Sequence, residues 1–263
     1  MKSRLATTAA VLAALALPAP AAPPSRDLPS RSGARAEDGG TWILPSSARA
    51  PGVNAFWTTG LTVTNSGGDP ATVTLTFLGH TGNGASGPEK TFDVPAWATV
   101  TWPDVLASAF GLESDWGPIL VRSNVTTLVV HGETSTPSPS GGSYGQVVPA
   151  LGPSETFDMR WRTLAGLRQD DRFRTNVVLA NLGDTEATVV LQLFRPDGTT
   201  ELTDARAVPR LGVVQLNLAR DLGVTHLAGG SLVLSSPTPG ARVAAYASVI
   251  DATTSDPRTV LAR

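Results

Sequence analysis

Three histidines, His80, His131 and His226, are the side chains best suited to metal or proton chemistry, and their spacing argues against both. None has a second ligand two, three or four residues away, the separations at which one strand or helix presents two donors to one ion. The chain contains no cysteine, which removes thiolate ligands, thiol nucleophiles and disulfides together. Ser143 lies in Gly141-Gly142-Ser143-Tyr144-Gly145, a formal match to the Gly-x-Ser-x-Gly nucleophile elbow. An elbow requires a strand that turns sharply into a helix. Here Gln146-Val147-Val148-Pro149 follows and reads as a strand, and the Ser/Thr/Pro run Thr134 to Ser143 before it reads as a flexible loop. The acidic pairs Glu37-Asp38 and Asp170-Asp171 fall in aperiodic segments, and no Asp-x-Asp-x-Asp run offers a calcium loop. The expectation is a chain with no catalytic residue, no cofactor and no metal site.

Charge narrows the partners. With 20 basic and 22 acidic residues the net charge is -2, and no strand is both basic and rich in aromatic residues, so nucleic acid is not expected as a partner. Lys2 and Arg4 precede an apolar run, Leu5 to Leu17, built from Leu, Ala, Val and Thr alone, and Ala19-Pro20-Ala21 supplies a small-x-small cleavage pattern. That run is shorter than the roughly 20 residues a membrane-spanning helix needs, so residues 1–21 read as a secretory signal and no transmembrane segment is expected. Residues 22–40 lack apolar periodicity and read as a flexible arm.

The rest of the chain repeats itself. Thr59-Gly-Leu-Thr-Val-Thr-Asn65-Ser-Gly67 and Ala71-Thr-Val73-Thr-Leu75 align without a gap on Thr175-Asn-Val-Val-Leu-Ala-Asn181-Leu-Gly183 and Ala187-Thr-Val189-Val-Leu191. Further on, Val94-Pro95 matches Val208-Pro209, Phe110-Gly111 matches Leu222-Gly223, and Thr127-Leu-Val-Val-His131 matches Arg242-Val-Ala-Ala-Tyr246. Val147-Val148-Pro149-Ala150 also echoes Ile43-Leu44-Pro45-Ser46. Internal duplication is the simplest account, with domains at 41–151 and 152–263. Within each copy the apolar residues alternate with Thr, as in Leu61-Thr-Val63-Thr, which is the period of a half-buried strand. Turn residues such as Asn65-Ser-Gly67-Gly68-Asp69-Pro70 and Pro196-Asp197-Gly198 punctuate the strands. About seven strands per copy are expected, with one short helix each at Asp104 to Phe110 and Leu218 to Leu222, both followed by Gly. The fold class is therefore all-β, two tandem antiparallel β-sandwich domains.

A unit of this strand number and length resembles an immunoglobulin-like or fibronectin-like sandwich, and the tandem pair resembles bacterial immunoglobulin-like surface and pilus-type filament proteins. The resemblance is architectural and covers residues 41–263. It implies an exported, non-enzymatic structural subunit at the cell surface that self-associates, assembling head to tail by strand pairing into a filament. Thr41, Trp42, Ile43 and Leu44 are the candidate strand-exchange segment, with Arg258 to Arg263 as a second terminal strand.

Three further surface features carry expectations. Thr62, Thr64, Thr72, Thr74 and Thr76, with Thr134, Ser135, Thr136, Ser138 and Ser140, have the composition of O-glycan acceptors, and Asn124-Val125-Thr126 is an N-glycosylation sequon. Where the first copy has outward Thr62, Thr64 and Thr74, the second has Val178, Ala180 and Val190, an apolar face that the other domain, a loop or a second molecule must cover. Five of six tryptophans, Trp42, Trp57, Trp97, Trp102 and Trp116, fall in the first copy, so adhesion to glycans through exposed Trp is the alternative function. If the export reading holds, N-terminal sequencing of protein recovered from culture medium or cell surface starts at Ala22. An intact Met1 in that fraction would refute it.

Overall fold

The computed structural model describes residues 39–52, 55–80, 87–138 and 141–263. The signal (1–21), residues 22–38 of the arm, Glu37-Asp38 and Ser140 lie outside the described residues. The chain is nearly all β, and every sheet is antiparallel. Alternation explains the strands locally: Leu61 and Val63 are fully buried while Thr62 and Thr64 between them are only half-buried.

In chain order the first half contains β1 (Thr41–Gly52), β2 (Ala55–Asn65), β3 (Ala71–Phe77), β4 (Glu89–Val94), β5 (Thr99–Trp102), α1 (Val105–Phe110), β6 (Asp115–Ser123), β7 (Leu128–Pro137) and β8 (Ser143–Pro149). The second half contains β9 (Arg162–Gln169), β10 (Phe173–Asn181), β11 (Ala187–Phe194), β12 (Thr200–Val208), β13 (Val213–Asn217), α2 (Leu218–Leu222), β14 (Leu227–Ser235), β15 (Val243–Asp251) and β16 (Pro257–Leu261). In the second half, sheets β12-β11-β14-β9 and β13-β10-β15-β16 face each other across a core that includes Leu164, Leu191 and Leu234 from one and Val177, Leu179 and Ala245 from the other. The first half has the equivalent neighbours, β4-β3-β6-β1 and β5-β2-β7-β8, joined into one eight-stranded sheet because β1 crosses over. Thr41 to Arg49 of β1 pair with β6, and Arg49 to Gly52 pair with β2. The register shifts between Leu44 and Ser47, where Pro45 has no N–H to give the ladder, and the Ser47 hydroxyl bonds the Gly117 carbonyl at 2.7 Å.

Local devices recur at matching places. Asn65 and Asn181 end β2 and β10 with no exposed surface. The Asn65 Nδ2 donates to the carbonyls of Asp69 (2.7 Å) and Val94 (3.3 Å), while its Oδ1 accepts from Gly67 N (3.0 Å). Asn181 does the same with Thr185 (2.8 Å), Val208 (3.1 Å) and Gly183 (2.8 Å). Each amide therefore pins a turn to the end of the following edge strand. The helices fall where expected, with Asp104 and Asn217 as N-caps and Gly111 and Gly223 closing them in the left-handed region at φ 68° and 70°.

Two sequence expectations need correction. Val147 to Ala150 is not the counterpart of Ile43 to Ser46, because it completes β8, whereas β9 holds the place of β1 in the strand order. The expected loop from Thr134 is instead the end of β7, paired with β8 as far as Pro137 opposite Ser143.

Asn181→Ala should lower unfolding free energy by about 2–4 kcal/mol, because it leaves several buried backbone groups without partners. Urea denaturation followed by tryptophan fluorescence measures it. A loss below about 0.5 kcal/mol, within the range of neutral surface changes, would show that the amide is dispensable.

Candidate functional site

Each half has its own core, and a third apolar cluster joins them. Ile43, Leu78, Leu120 and Leu151 of the first half pack with Ala180, Leu182 and Ala244 of the second, all nearly or fully buried. Val178 and Tyr246 enter the core of the first half itself. Thus Val178 and Ala180 sit under residues of the other half, whereas Val190, half-buried on β11 between Ala205 and Ser235, lies in the other sheet.

The cover stops part-way along β10. Alternate residues Arg174, Asn176, Val178 and Ala180 share its outer face, and their cross-strand partners on β15 are Ile250, Ser248, Tyr246 and Ala244. Ala180 and Ala244 are sealed in the seam. Arg174, Asn176 and Val178, with Tyr246, Ser248 and Ile250, instead line a cleft of about 280 Å³. Gln215 of β13 extends that wall, and Ser46, Trp57, Thr134 and Gln146 of the first half face it. The indole of Trp57 lies across Gly52, where a Cβ would come within 2.6 Å of its Nε1, so only glycine leaves room for the ring there.

Hydrogen bonds fix the polar walls. Asn217 Oδ1 accepts from Ala219 N (3.1 Å) and Arg220 N (3.0 Å) at the start of α2, which turns its Nδ2 toward Asn176 Oδ1 at 2.9 Å. The amide of Asn176 is therefore oriented, and its own Nδ2 has no partner among the described residues. Gln146 is held by the Ser248 and Thr259 hydroxyls at 3.0 and 3.2 Å. The single proton of Thr259 Oγ1 is shared between Gln146 Oε1 and the nearer Val147 carbonyl at 2.8 Å, tying β16 to β8 beside the cleft. Burial pushes the Tyr246 phenol up to about 12, against a smaller opposing effect of its hydrogen bond to Ser46. Arg174 is exposed and has no ion-pair partner among the described residues, and no residue lining the cleft is acidic.

The sequence-derived candidates fall elsewhere, with the exception of Trp57, Thr134 and Val178. Thr41, Trp42, Ile43 and Leu44 occupy an interior strand: they pair with Ile119 to Arg122 on one side, while Ile43 exchanges backbone bonds of 2.8 and 2.7 Å with Leu151 on the other. Arg258 to Leu261 lie within β16, paired with β15, and Arg263 exchanges backbone bonds with Thr163. The hydroxyls of Thr64 and Thr74 meet Thr99 and Thr91 across strands at 2.9 Å, Thr62 meets Thr101 at 3.5 Å, and Thr72 and Thr76 donate to Asp93 and Glu89 at 2.8 Å. Thr134 bonds Thr59 at 2.7 Å, Ser135 pairs with Gly145, Thr136 is buried and Ser138 follows β7. Asn124 is exposed, its Oδ1 accepting from Thr72 N at 2.8 Å.

Ser143 opens β8 in a β-hairpin after Gly141 and Gly142, both at positive φ, and no helix follows it. His80 bonds Asp115 at 3.0 Å and stacks on Trp116 at 4.7 Å, while His131 lies in β7 and His226 beside Thr225. Among the described residues no group of three His, Asp or Glu converges as metal ligands, and no helix is long and apolar enough to cross a membrane. Asp170 accepts from Arg172 N and Phe173 N at 2.8 and 2.7 Å, and the Phe173 bond is the main influence holding its carboxyl below the usual carboxylate range. Trp97 and Trp161, 69% and 74% exposed, are not part of the cleft. Sequence reasoning missed Arg174, Asn176, Gln215 and Gln146. The available signal was the change along one face of β10 from Arg174 and Asn176 to Val178 and Ala180.

No family model matches the chain, and no curated protein matches it. Among solved structures, Thermotoga maritima 1070 is similar with a TM-score of 0.34 and 15% identity, covering 40% of this chain and 94% of its own. A structure of infectious bursal disease virus Gt strain has a TM-score of 0.18 and 13% identity, over 85% of this chain and 71% of that one. A Bacteroides uniformis beta-glucuronidase has a TM-score of 0.17 and 12% identity, over 86% of this chain and 26% of the enzyme. Likeness at this level carries no argument about activity.

Tyr246 makes alkaline stability a probe of the seam. Its folded value of about 12 exceeds the ordinary value of 10.0, so the unfolded chain loses the proton first. Stability is full below pH 10 and declines as pH rises from about 10 to about 12. Denaturant midpoints across that window should fall less in Tyr246→Phe than in the native chain. Equal falls would place the phenol outside the dry seam.

Proposed function

We propose that this chain is an exported, non-catalytic module of the cell surface that recognises carbohydrate in the cleft at the seam. The observation that carries the reading is Trp57 facing a wall that holds the oriented Asn176 amide and Ser248 hydroxyl and the exposed Gln215 amide, in a cleft of about 280 Å³. A pyranose has an apolar C–H face that stacks on an indole and a rim of hydroxyls that exchange hydrogen bonds with planar amides. The volume is near the low end of small-molecule sites, suited to one or two sugar units.

The two halves are read as tandem copies of an immunoglobulin-like or fibronectin-like sandwich. The matching strand order, the paired Asn65 and Asn181, and the αL residues Trp97 and Leu211 after β4 and β12 support duplication. Binding is preferred over filament formation by strand exchange because Thr41 to Leu44 are already paired with β6 within the chain and Ile43 is bridged to Leu151 on the other side. The edge strands β4 and β12 also carry Glu89, Lys90, Asp93, Glu201, Asp204 and Arg206, charges of the kind that discourage edge-to-edge pairing.

Retention of the exported chain on a panel of immobilised polysaccharides tests the reading. At least one should retain the native protein, and Trp57→Ala should weaken that retention about tenfold or more while thermal unfolding stays cooperative. Failure of every polysaccharide, or full retention by Trp57→Ala, would overturn it.

A further inference from the structure

We infer that the cleft selects sugars bearing a carboxylate, such as the uronic acid units of acidic polysaccharides; the inference rests on the carbohydrate reading above. Two donors on one face of β10 carry it. Arg174 and Asn176 are two residues apart on the same face of one strand, so their Cα atoms are about 7 Å apart. Both line the cleft. The Arg174 guanidinium has no carboxylate partner among the described residues, unlike its neighbour Arg172, which bonds Asp251 at 3.3 Å.

The orientation of Asn176 follows from α2. Asn217 must present its oxygen to the first N–H groups of that helix, so it must present its NH2 to Asn176, whose oxygen is thereby occupied. What remains of Asn176 is a donor. A guanidinium and an amide NH2 on adjacent same-face positions match the two oxygens of a carboxylate, and charge-assisted bonds of this kind are among the stronger polar contacts. A neutral sugar leaves the guanidinium hydrated and gains nothing from its charge. The lining itself holds no acidic residue to oppose an anion. Trp57 on the facing wall supplies the stacking surface that distinguishes a sugar acid from a simple carboxylate.

The test is calorimetric titration of the exported chain with trigalacturonate, with neutral galactotriose and with triglutamate. Trigalacturonate should bind about tenfold or more tightly than galactotriose, and its affinity should fall with added salt. Arg174→Gln, a change at an exposed side chain, should abolish the preference, bringing the ratio of trigalacturonate to galactotriose affinity to about one. Equal affinity for the two sugars, or a preference that survives in Arg174→Gln, overturns the inference and leaves the carbohydrate reading standing. Triglutamate binding as tightly as trigalacturonate overturns the assignment to sugar acids. No binding of either sugar, together with failure of the polysaccharide panel, removes both readings.

Discussion

Part of the outer face of one sheet, β13-β10-β15-β16, must stay dry around Val178, Ala180, Ala244 and Tyr246, and much of the architecture follows from that constraint. Most strands of the chain bury one face. β15 buries both, since Val243, Ala245, Ala247 and Val249 face the core of their own half while Ala244 and Tyr246 face the seam. Burying an aliphatic side chain is worth roughly 1.5–3 kcal/mol. Ile43, Leu120, Leu151 and Leu182 therefore make the seam a contribution comparable to the whole stability of a typical domain. The halves are expected to hold one another in place, and the apolar part of this face, Val178, Ala180, Ala244 and Tyr246, is kept from water.

The cleft is a consequence of where that cover ends. Side chains on one face of a strand are about 7 Å apart, so the boundary between sealed and open positions is sharp: Ala180 is sealed, Val178 floors the cleft, and Asn176 and Arg174 line it. Walls made of paired strands hold their groups more firmly than loops do. The orientation of Asn176 illustrates this, because it is imposed by Asn217 through a helix cap that has its own structural purpose. Small residues complete the arrangement, as Gly52 lets the Trp57 indole lie across β1.

The two halves use one set of local devices under different surroundings. Both have buried asparagine at the end of the second strand, a short capped helix and a left-handed residue after the fourth strand. They differ in their first strands. The shift in register around Pro45 and Ser46 lets β1 serve both layers of the first half, whereas β9 pairs with β14 alone among the strands. Outward positions differ too: Thr62 and Thr64 build a hydroxyl ladder with Thr101 and Thr99, and their counterparts Val178 and Ala180 build the seam.

Much of the local structure was legible in the residues because its causes are local. Alternating Leu61-Thr-Val63-Thr specifies a strand and its two faces, Asp104 and Gly111 bracket a helix, and Asn65-Ser-Gly67 specifies a turn. The substitution of Val178 and Ala180 for threonine showed that a cover was needed, but three covers fitted equally well. Choosing among them required tertiary structure, because a strand's outer face carries no record of what lies against it. The same limit hid the cleft: Arg174, Asn176, Gln146 and Trp57 are up to 119 residues apart in the chain (176 − 57) and meet only once the halves dock. It also left open the surroundings of Thr41 to Leu44, whose alternation marks a strand without saying that β6 pairs with it along one edge and Leu151 bridges Ile43 on the other. Period, caps and turns are written in neighbouring residues; contacts between sheet faces depend on how distant segments pack.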